Sequence, residues 1–386
     1  MEIFELRAGD RLTLQLKGRL DMAAAPLLDK ALQLEGIKQL ILDFDGCSFI
    51  SSAGLREILR GYKAAVKQGG TCEVINVSRE VKEVFDLSGL SEMMTVRKKA
   101  REISIEGLEF INAGKCGECY RLDEETVVKL YHEGVTNEIT EQEKEVARAA
   151  FVLGLPTAIS YEVVTCGART GVVYEMLDAT LFSTVVINDL DNMDKHARLL
   201  AGIAQKIHGT KANSPIFPDI KNTIRQYLPQ MDFFLSAEEI ALLQRKLETI
   251  PDSDNCVHFD LHTSNIMIKD GEPIIIDMGD FSRGSHLFDL GQIHTVYGYP
   301  EINICSWATK IPDDKGAELM ELTFNHYFAD KPAAEFEFFN QNRDFLSALR
   351  ICCGIATFPS LRDVACPMVK NHVLPRMMAA DAARGV

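Results

Sequence analysis

The sequence is organised around one stretch, Cys256-Val-His-Phe-Asp-Leu-His-Thr-Ser-Asn-Ile-Met-Ile-Lys-Asp-Gly-Glu-Pro-Ile-Ile-Ile-Asp277. Its two apolar segments, residues 265–268 and 273–276, predict paired strands, because the dipeptide Asp270-Gly271 between them favours a tight hairpin turn. Such a hairpin would bring Asn265, at the start of its first strand, close to Asp277, which follows its second strand.

The residue types in this stretch indicate phosphoryl transfer. Catalytic loops for this chemistry combine a carboxylate that accepts the proton of the attacking hydroxyl with an amide that holds a magnesium ion. Asp260 and Asn265 share one such short loop, and Asp277 would supply a metal carboxylate. Each of them alone is more often a turn former, but their combination in a strand and loop context favours the catalytic interpretation. His258 and His262 are expected to support the loop.

The pattern resembles that of a known family. The motif His258-x-Asp260-x-His262-x-x-Asn265, followed by Ile276-Asp277, is similar to that of the aminoglycoside phosphotransferase and choline kinase group, whose members have protein-kinase-like folds. The resemblance implies an ATP-dependent phosphotransferase that acts on a hydroxyl group. It implies Asp260 as the catalytic base and Asn265 and Asp277 as magnesium ligands.

Four neighbouring positions bear on this resemblance. The sequence Phe288-Asp289-Leu290 fits the family, in which a later Asp-Leu pair anchors the catalytic segment, so the resemblance gives Asp289 a structural role. The family usually has glycine where Phe259 stands and an aromatic residue where Met278 stands, and neither departure removes a functional group. We interpret Asp280 as an exposed turn carboxylate, with assistance at the metal as the alternative.

Composition limits the classes of function. The 386 residues allow roughly two or three domains, and 46% hydrophobic with 25% charged residues is typical of a globular protein. The 41 Lys and Arg against 56 Asp and Glu give a formal net charge of −15, which disfavours nucleic acid or an anionic membrane as a partner. No apolar run approaches a membrane span of about 18 residues.

Cysteine usage indicates the compartment. The 10 cysteines are scattered and include the adjacent pair Cys352-Cys353, a pattern that favours reduced thiols over a disulfide framework. The single Cys116-x-x-Cys119 lacks a second pair at metal-binding spacing, so we interpret it as free thiols. We therefore expect a cytoplasmic protein.

The N-terminal part of the chain alternates between strand and helix patterns. Alternating apolar and polar residues predict a half-buried strand at 11–18, and more continuous apolar runs predict strands at 39–44 and 71–77. Helical spacing of apolar residues predicts the helices, at 23–34, 52–67 and 81–87. This order predicts a small α/β domain whose helices cover a parallel or mixed sheet.

Two motifs here, Gly18-Arg-Leu-Asp21 and Phe49-Ile-Ser-Ser-Ala-Gly-Leu55, resemble the STAS family of sulfate transporter and anti-sigma-factor antagonist domains. The resemblance implies a bacterial regulatory domain that binds a protein partner. Its regulatory members are phosphorylated on the Ser or Thr before the Gly, and that position is Ala53 here. We interpret Ser51 and Ser52 as helix caps, with phosphorylation at the helix N-terminus as the alternative.

A charged segment separates this region from the rest. The run Arg97-Lys-Lys-Ala-Arg101 interrupts the apolar pattern and predicts a short solvated linker. We therefore predict a STAS-like domain at 1–98 and an aminoglycoside phosphotransferase-like domain at 102–386. The second domain is expected to have an N-lobe at about 102–177 and a C-lobe at about 178–386, as the resemblance implies.

The segment after the linker predicts the N-lobe of a kinase. A strand from residue 109, a turn containing Gly114 and Gly117, and a strand containing Lys129 follow the order of a phosphate-binding loop and its lysine. The glycines are a weak signal, because two-glycine turns are common. Lys129 is a stronger signal, because it lies in an apolar strand where a cation is unusual.

A helix and a strand complete the predicted nucleotide site. A glutamate on the helix predicted at 141–153 should orient Lys129, and we select Glu143 because it shares the inward face with Ala147. The apolar strand at 171–177 lies where the hinge between the lobes is expected. The backbone from Glu175 to Leu177 is therefore the candidate adenine site. Helical patterns further on, at 199–208, 237–247 and 345–378, predict the C-lobe core.

The sequence thus predicts two domains, one α/β and one α+β: a STAS-like sheet covered by helices, followed by a two-lobed protein-kinase-like domain. The predicted reaction transfers the γ-phosphate of ATP, with Mg²⁺, to a hydroxyl of a small molecule, and the STAS-like domain regulates it. Two alternatives remain open. One is a protein kinase that acts on an anti-sigma-type partner, and the other is a nucleotide-binding scaffold without turnover that takes part in partner switching.

Overall fold

The computed structural model of the protein describes residues 1–114 and 116–382. The chain divides into two compact units, the first covering Met1–Ile103 and the second beginning at Ser104. Both units mix strands and helices, as predicted. The boundaries predicted from the sequence, 1–98 and 102–386 with a lobe boundary near 177, stay predictions.

The first unit is a sheet covered by helices. Its elements are, in chain order, β1 (Glu2–Ala8), β2 (Arg11–Leu20), α1 (Ala25–Ala31), β3 (Gln39–Ile50), α2 (Ser52–Lys67), β4 (Thr71–Val77), α3 (Arg79–Leu87), α4 (Leu90–Met93), β5 (Thr95–Lys98) and the two-residue β6 (Arg101–Glu102). The sheet has the order β1-β2-β3-β4-β5, with β1 antiparallel to β2 and the other pairs parallel. The mixed sheet confirms the predicted class of this unit.

Helix α2 begins and ends where the sequence predicts. The Ser51 hydroxyl oxygen accepts a hydrogen bond from the Gly54 N–H at 3.3 Å, which satisfies one of the unpaired amides at the helix start. Ser51 is therefore a helix cap, as interpreted from the sequence. Ala53 lies in the first turn of the helix and carries a methyl group, which cannot accept a phosphate.

Three predictions in this unit need correction. Helix α1 covers only Ala25–Ala31, shorter than the predicted 23–34. Strands β1 and β5 were not predicted, because both are edge strands with mostly exposed or half-exposed side chains and lack a clear apolar face. The predicted linker is wrong for Arg97 and Lys98, which lie in β5, where Arg97 pairs with Glu73 at 3.4 Å, and for Arg101, which lies in β6.

The second unit opens with an antiparallel sheet and one helix. Its elements are β7 (Glu109–Ala113), β8 (Gly117–Arg121), β9 (Thr126–Tyr131), α5 (Asn137–Val152), β10 (Ser160–Cys166) and β11 (Arg169–Glu175). The strands are ordered β10-β11-β9-β8-β7. Helix α5 begins earlier than predicted, because the Thr136 hydroxyl caps it by accepting from the Ile139 N–H at 3.4 Å.

The remainder of the second unit is mostly helical. Its elements are β12 (Thr180–Leu181), α6 (Phe182–Ile187), α7 (Met193–Gly209), α8 (Ile220–Tyr227), α9 (Ala237–Thr249), β13 (Cys256–Val257), β14 (Ile266–Lys269), β15 (Glu272–Ile275), β16 (Ser282–Arg283), α10 (Leu287–Tyr297), α11 (Ile304–Thr309), α12 (Asp313–Phe328), α13 (Ala333–Thr357), α14 (Arg362–Met368) and α15 (Leu374–Ala382). Helix α10 is buried along its whole length and packs on α12 and α13. The C-lobe core is therefore helical, as predicted. None of the helices within 1–114 and 116–382 is long and apolar enough to cross a membrane.

The hairpin predicted from Asp270-Gly271 is present. Asp270 and Gly271 both have positive φ, 52° and 85°, as a type I′ turn requires, and Lys269 pairs with Glu272 across it. At the open end of the hairpin, the Ile276 N–H donates to the Asn265 carbonyl at 3.0 Å. The hairpin therefore sets the positions of the residues on either side of it.

Candidate active site

The loop between β13 and β14 is held by the buried carboxylate of Asp289, in the first turn of α10. The backbone N–H groups of His258 and Phe259 donate to its two oxygens at 2.9 Å and 2.5 Å. His208, from α7, contacts the same carboxylate at 2.9 Å. The expected structural role of Asp289 is confirmed, because it fixes the backbone that carries Asp260.

Phe259 adopts a left-handed conformation, with φ 63°, which explains why the family usually has glycine at this position. Three contacts hold the residue there. Its N–H bonds Asp289, its carbonyl accepts from Arg350 Nε at 2.7 Å, and its ring packs edge-on against Phe288 at 6.2 Å. The loop keeps the turn that glycine would favour, although the residue is a bulky one.

Asp260 follows Phe259 and is held by three donors. Gln292 Nε2, from α10, and Arg350 Nη2, from α13, donate to Oδ1 at 2.6 Å and 2.8 Å. Asn265 Nδ2 donates to Oδ2 at 3.1 Å. The side chain is 27% exposed, so the carboxylate is oriented by the protein and is still accessible to solvent.

Asn265 and Asp277 lie beside the open end of the hairpin, as the sequence predicts. Asp277 has φ 60°, a left-handed conformation that aspartate tolerates better than most residues, and its Oδ1 accepts from Lys129. Within the described residues, no donor contacts Asp277 Oδ2 or Asn265 Oδ1. These two side chains therefore offer two oxygens of the kind that Mg²⁺ prefers.

Lys129, on β9, lies between two carboxylates. Its Nζ donates to Glu143 Oε1 at 3.0 Å and to Asp277 Oδ1 at 2.8 Å, and the Tyr174 hydroxyl donates to the same Glu143 oxygen at 3.0 Å. Burial alone would lower the pKa of Lys129, but the charges of Asp277 and Glu143 raise it well above its ordinary value. The lysine is therefore a permanent cation that links the sheet to the hairpin.

The two histidines of the motif support the loop. His258 donates from Nε2 to the Ile276 carbonyl at 3.1 Å and accepts the Asp260 N–H at Nδ1 at 3.2 Å. His262 Nδ1 accepts the Ser264 N–H at 3.2 Å, and burial lowers the pKa of its imidazole. Neutral His262 is therefore the form present near pH 7.

The predicted glycine turn joins β7 to β8, and Lys115 within it lies outside the described residues. The Gly114 N–H donates to the Gly117 carbonyl at 2.8 Å. A Cβ at Gly117 would lie 2.0 Å from the Leu130 carbonyl oxygen on β9, so sheet packing alone requires glycine there. The nucleotide-binding role of both glycines stays a prediction.

The predicted adenine segment begins at the last residue of β11. The N–H groups of Glu175 and Met176 already bond within the protein, to the Ile159 and Glu125 carbonyls at 3.0 Å and 2.7 Å. In the described chain, the Leu177 N–H meets no backbone acceptor. The role of Glu175 and Leu177 in binding adenine stays a prediction.

Arg350, Gln292 and Asp280 were not predicted to surround Asp260. Asp280 ends the short 3-10 turn Met278–Asp280 and is partly exposed, as interpreted from the sequence, but it also accepts from Arg350 Nη2 at 3.1 Å, a contact that was not predicted. One signal could have revealed Arg350. It is a lone cation in an apolar helical stretch, Leu346-Ser-Ala-Leu-Arg-Ile-Cys-Cys353, where burial requires a charge partner.

The site pairs Lys129 with Glu143 beside the antiparallel sheet and adds two aspartates, Asp260 on a loop and Asp277 after a hairpin. This arrangement is typical of phosphotransferases of the protein-kinase-like class. The model of the phosphotransferase enzyme family matches residues 109–336, more than half of the chain, and the chain belongs to that family. The STAS domain model matches residues 5–103, so a STAS domain precedes the phosphotransferase domain.

Several solved structures are similar to parts of this chain. A choline/ethanolamine kinase family protein from Mesorhizobium loti is 14% identical with a TM-score of 0.46, over 71% of this chain and 87% of that one. Amicoumacin kinase hAmiN, solved with AMP-PNP, Ca²⁺ and Ami, is 17% identical with a TM-score of 0.48, over 73% and 88%. The unphosphorylated anti-sigma factor antagonist SpoIIAA is 18% identical with a TM-score of 0.22, over 26% and 89%.

Proposed function

We propose that the second unit transfers the γ-phosphate of ATP to a hydroxyl group of a small molecule. One observation carries the proposal: Lys129 contacts both Glu143 and Asp277, while Asn265, beside the same hairpin, contacts Asp260. A phosphate-binding cation, two metal-ligand candidates and a base candidate thus lie in two hydrogen-bonded groups that meet at the open end of one hairpin. This is the set of groups that phosphoryl transfer requires.

The residues present fit a magnesium ion and a nucleotide. Asp277 Oδ2 and Asn265 Oδ1 would hold the ion. Among the described residues, no cluster of three or more His, Cys, Asp or Glu side chains is arranged for a metal. This suits Mg²⁺, which commonly takes one or two protein ligands and completes its shell with phosphate and water oxygens. Bound magnesium would neutralise charge on the phosphates.

Asp260 would act as the base. Its carboxylate would accept the proton of the acceptor hydroxyl as the hydroxyl oxygen bonds to the γ-phosphorus. The bond between that phosphorus and the bridging oxygen of ADP breaks in the same displacement, and ADP leaves. Lys129, kept cationic by Glu143 and Asp277, would bind the phosphates. Asp260 would thus act on the acceptor hydroxyl, whereas Lys129 would act on the nucleotide.

Two further pairs of residues are proposed to contact the nucleotide. Gly114 and Gly117 would let the β7–β8 turn approach the phosphates closely. Glu175 and Leu177 would position adenine through backbone groups, with the Leu177 N–H as donor.

The STAS domain is proposed to bind a protein partner and so control or localise the phosphotransferase. Support comes from apolar side chains near the carboxyl ends of β2 and β3. Met22 is 78% exposed, and Leu27 and Phe49 are also exposed. Large exposed apolar patches mark interaction sites, so these side chains are candidates for the partner-binding surface. A fluorescence titration of the full chain against candidate anti-sigma-type proteins tests this proposal.

ATP consumption by the purified full chain tests the proposed reaction. The acceptors are three pools, of hydroxylated amines, of sugars and of candidate partner proteins, assayed separately with Mg²⁺. ATP consumption that depends on a small-molecule pool, with a phosphorylated product detected by mass spectrometry, is the expected result. Phosphate found only on a protein would favour the protein kinase alternative. Tight Mg-ATP binding without turnover in any pool would favour the scaffold.

A further inference from the structure

We infer that Arg350 is a positioning residue for the base: it clamps the Phe259–Asp260 peptide and orients the Asp260 carboxylate. The inference rests on the proposed function, because it assigns Asp260 the base role. It adds a residue from α13, 90 positions away from Asp260 in the sequence.

The guanidinium of Arg350 contacts the loop in three ways. Its Nε donates to the Phe259 carbonyl at 2.7 Å, its Nη2 donates to Asp260 Oδ1 at 2.8 Å, and its carbon centre lies 5.0 Å from the centroid of the Phe259 ring. A planar group that bonds backbone and carboxylate together fixes their relative orientation. Arg350 therefore sets the direction in which Asp260 points.

The backbone of Phe259 explains why a clamp is needed. A left-handed conformation costs a bulky residue free energy that glycine does not lose, and such strain persists only where surrounding contacts enforce it. Asp289 holds the N–H side of Phe259, and Arg350 holds its carbonyl side. Without Arg350, the Phe259–Asp260 peptide is free to relax, and the carboxylate turns with it.

Arg350 also balances the local charge. Asp260 faces Arg350 from α13, His262 of its own loop at 3.9 Å, and the neutral amides of Asn265 and Gln292. The same Nη2 of Arg350 also donates to Asp280 Oδ2, at 3.1 Å. The buried guanidinium therefore holds both carboxylates through charge-assisted hydrogen bonds, which limits how Asp260 can rotate.

Four variants of the full chain test the inference: Arg350→Met, Arg350→Lys, Phe259→Gly and the double variant Phe259→Gly/Arg350→Met. Arg350→Met is expected to lower kcat about 100-fold, the loss typical of a misplaced catalytic group, with the Mg-ATP Kd changed less than about twofold. Arg350→Lys keeps the positive charge but not the planar guanidinium that bonds the Phe259 carbonyl and Asp260 together, so it should recover only part of kcat.

Hydrogen–deuterium exchange gives a readout that needs no activity. Arg350→Met should increase exchange in the peptide covering 256–266, and the increase should be smaller when Phe259→Gly has already relieved the strain. Unchanged exchange in Arg350→Met overturns the inference, even if the wild type transfers phosphate to no acceptor. Unchanged kcat overturns it as well, as does a loss of kcat matched by an equal loss of Mg-ATP affinity. A wild type without turnover but with the expected exchange pattern contradicts the proposed function alone.

Discussion

Lys129 Nζ lies 2.8 Å from Asp277 Oδ1, although the two residues are 148 positions apart in the sequence. The contact joins Lys129, on β9, to Asp277, which lies two residues after the end of β15. Because Glu143 shares the same ammonium group, the lysine is already directed at the place where phosphates would bind. The proposed nucleotide site would therefore need little rearrangement at Lys129, which would reduce the ordering cost of binding.

Replacing the base candidate should separate binding from transfer. Asp260→Ala is expected to reduce transfer about 100- to 10,000-fold, because it removes the proton acceptor, while Mg-ATP binding stays nearly intact. Steady-state assays and calorimetry on the same preparations measure the two effects. Asp330→Ala, at an exposed carboxylate after α12, is the control. Equal turnover in wild type and Asp260→Ala would remove Asp260 from the mechanism.

The metal candidate should affect nucleotide binding more strongly. Asp277→Asn keeps a side chain that tolerates the left-handed backbone, but it removes a negative charge from the metal site. We expect Mg-dependent ATP affinity to fall at least about tenfold, well beyond the effect of Asp260→Ala. Calorimetry with ATP at increasing Mg²⁺ measures this. An unchanged magnesium dependence would make Asp277 a turn residue only.

The glutamate that pairs with Lys129 has a matched control on its own helix. Glu143→Gln is expected to raise the KM for ATP about tenfold, because Lys129 loses one of the two carboxylates that orient it. Glu145→Gln should leave the KM unchanged, since Glu145 contacts Lys144 instead, at 3.1 Å. The comparison of the two variants at saturating acceptor decides the point: equal KM values would contradict the role of Glu143.

We predict no self-phosphorylation at the start of α2. The Ser51 hydroxyl both caps the helix and donates to the Leu20 carbonyl at 3.2 Å, and releasing such a cap costs about 1 kcal/mol. Mass spectrometry after incubation with Mg-ATP tests this, with Asp260→Ala as the control. Stoichiometric phosphate on Ser51 or Ser52 in the wild type, absent from Asp260→Ala, would show instead that the protein is a self-regulating switch.

Stability should fall as the pH drops below about 6.5. Burial lowers the pKa of His286 to about 3 and holds that of His294 well below its ordinary value. The unfolded chain, with histidine pKa values near 6.5, then binds more protons than the folded chain. The free energy of unfolding therefore falls, by about 1.4 kcal/mol per pH unit for each such group.

Urea unfolding between pH 7.5 and 5.5 measures this loss, and His294→Asn provides the comparison. The variant is expected to be less stable at pH 7.5, because it loses packing against Tyr299, but to have a shallower pH dependence. Parallel pH curves for wild type and variant would contradict this prediction, because they would show that His294 takes up protons equally in the folded and unfolded states.

The sequence predicted features that depend on local interactions. The Asp270-Gly271 turn needs only two residues that accept positive φ, and α2 needs only a capping serine and a periodic apolar face. The contacts of Asp260 are different. Gln292 and Arg350 reach it from helices 32 and 90 positions away, and no local pattern specifies which buried polar side chain meets which loop.

Phe259, with its left-handed backbone, is a second case in which the local sequence does not specify distant contacts. The family motif placed it at a glycine position, but the motif could not show what compensates for the missing glycine. The compensation comes from two distant helices, through Asp289 on α10 and Arg350 on α13. Edge strands β1 and β5 were missed for a simpler reason, since they bury little and their pattern carries little information.

The methyl group of Ala53 has a consequence for how a signal would be stored. A phosphorylated serine records a past event and keeps that record until a phosphatase removes it. Without an acceptor at this position, a partner bound to the STAS domain would influence the enzyme only while it stays bound. The response would then follow the current concentration of the partner and would carry no memory of earlier exposure.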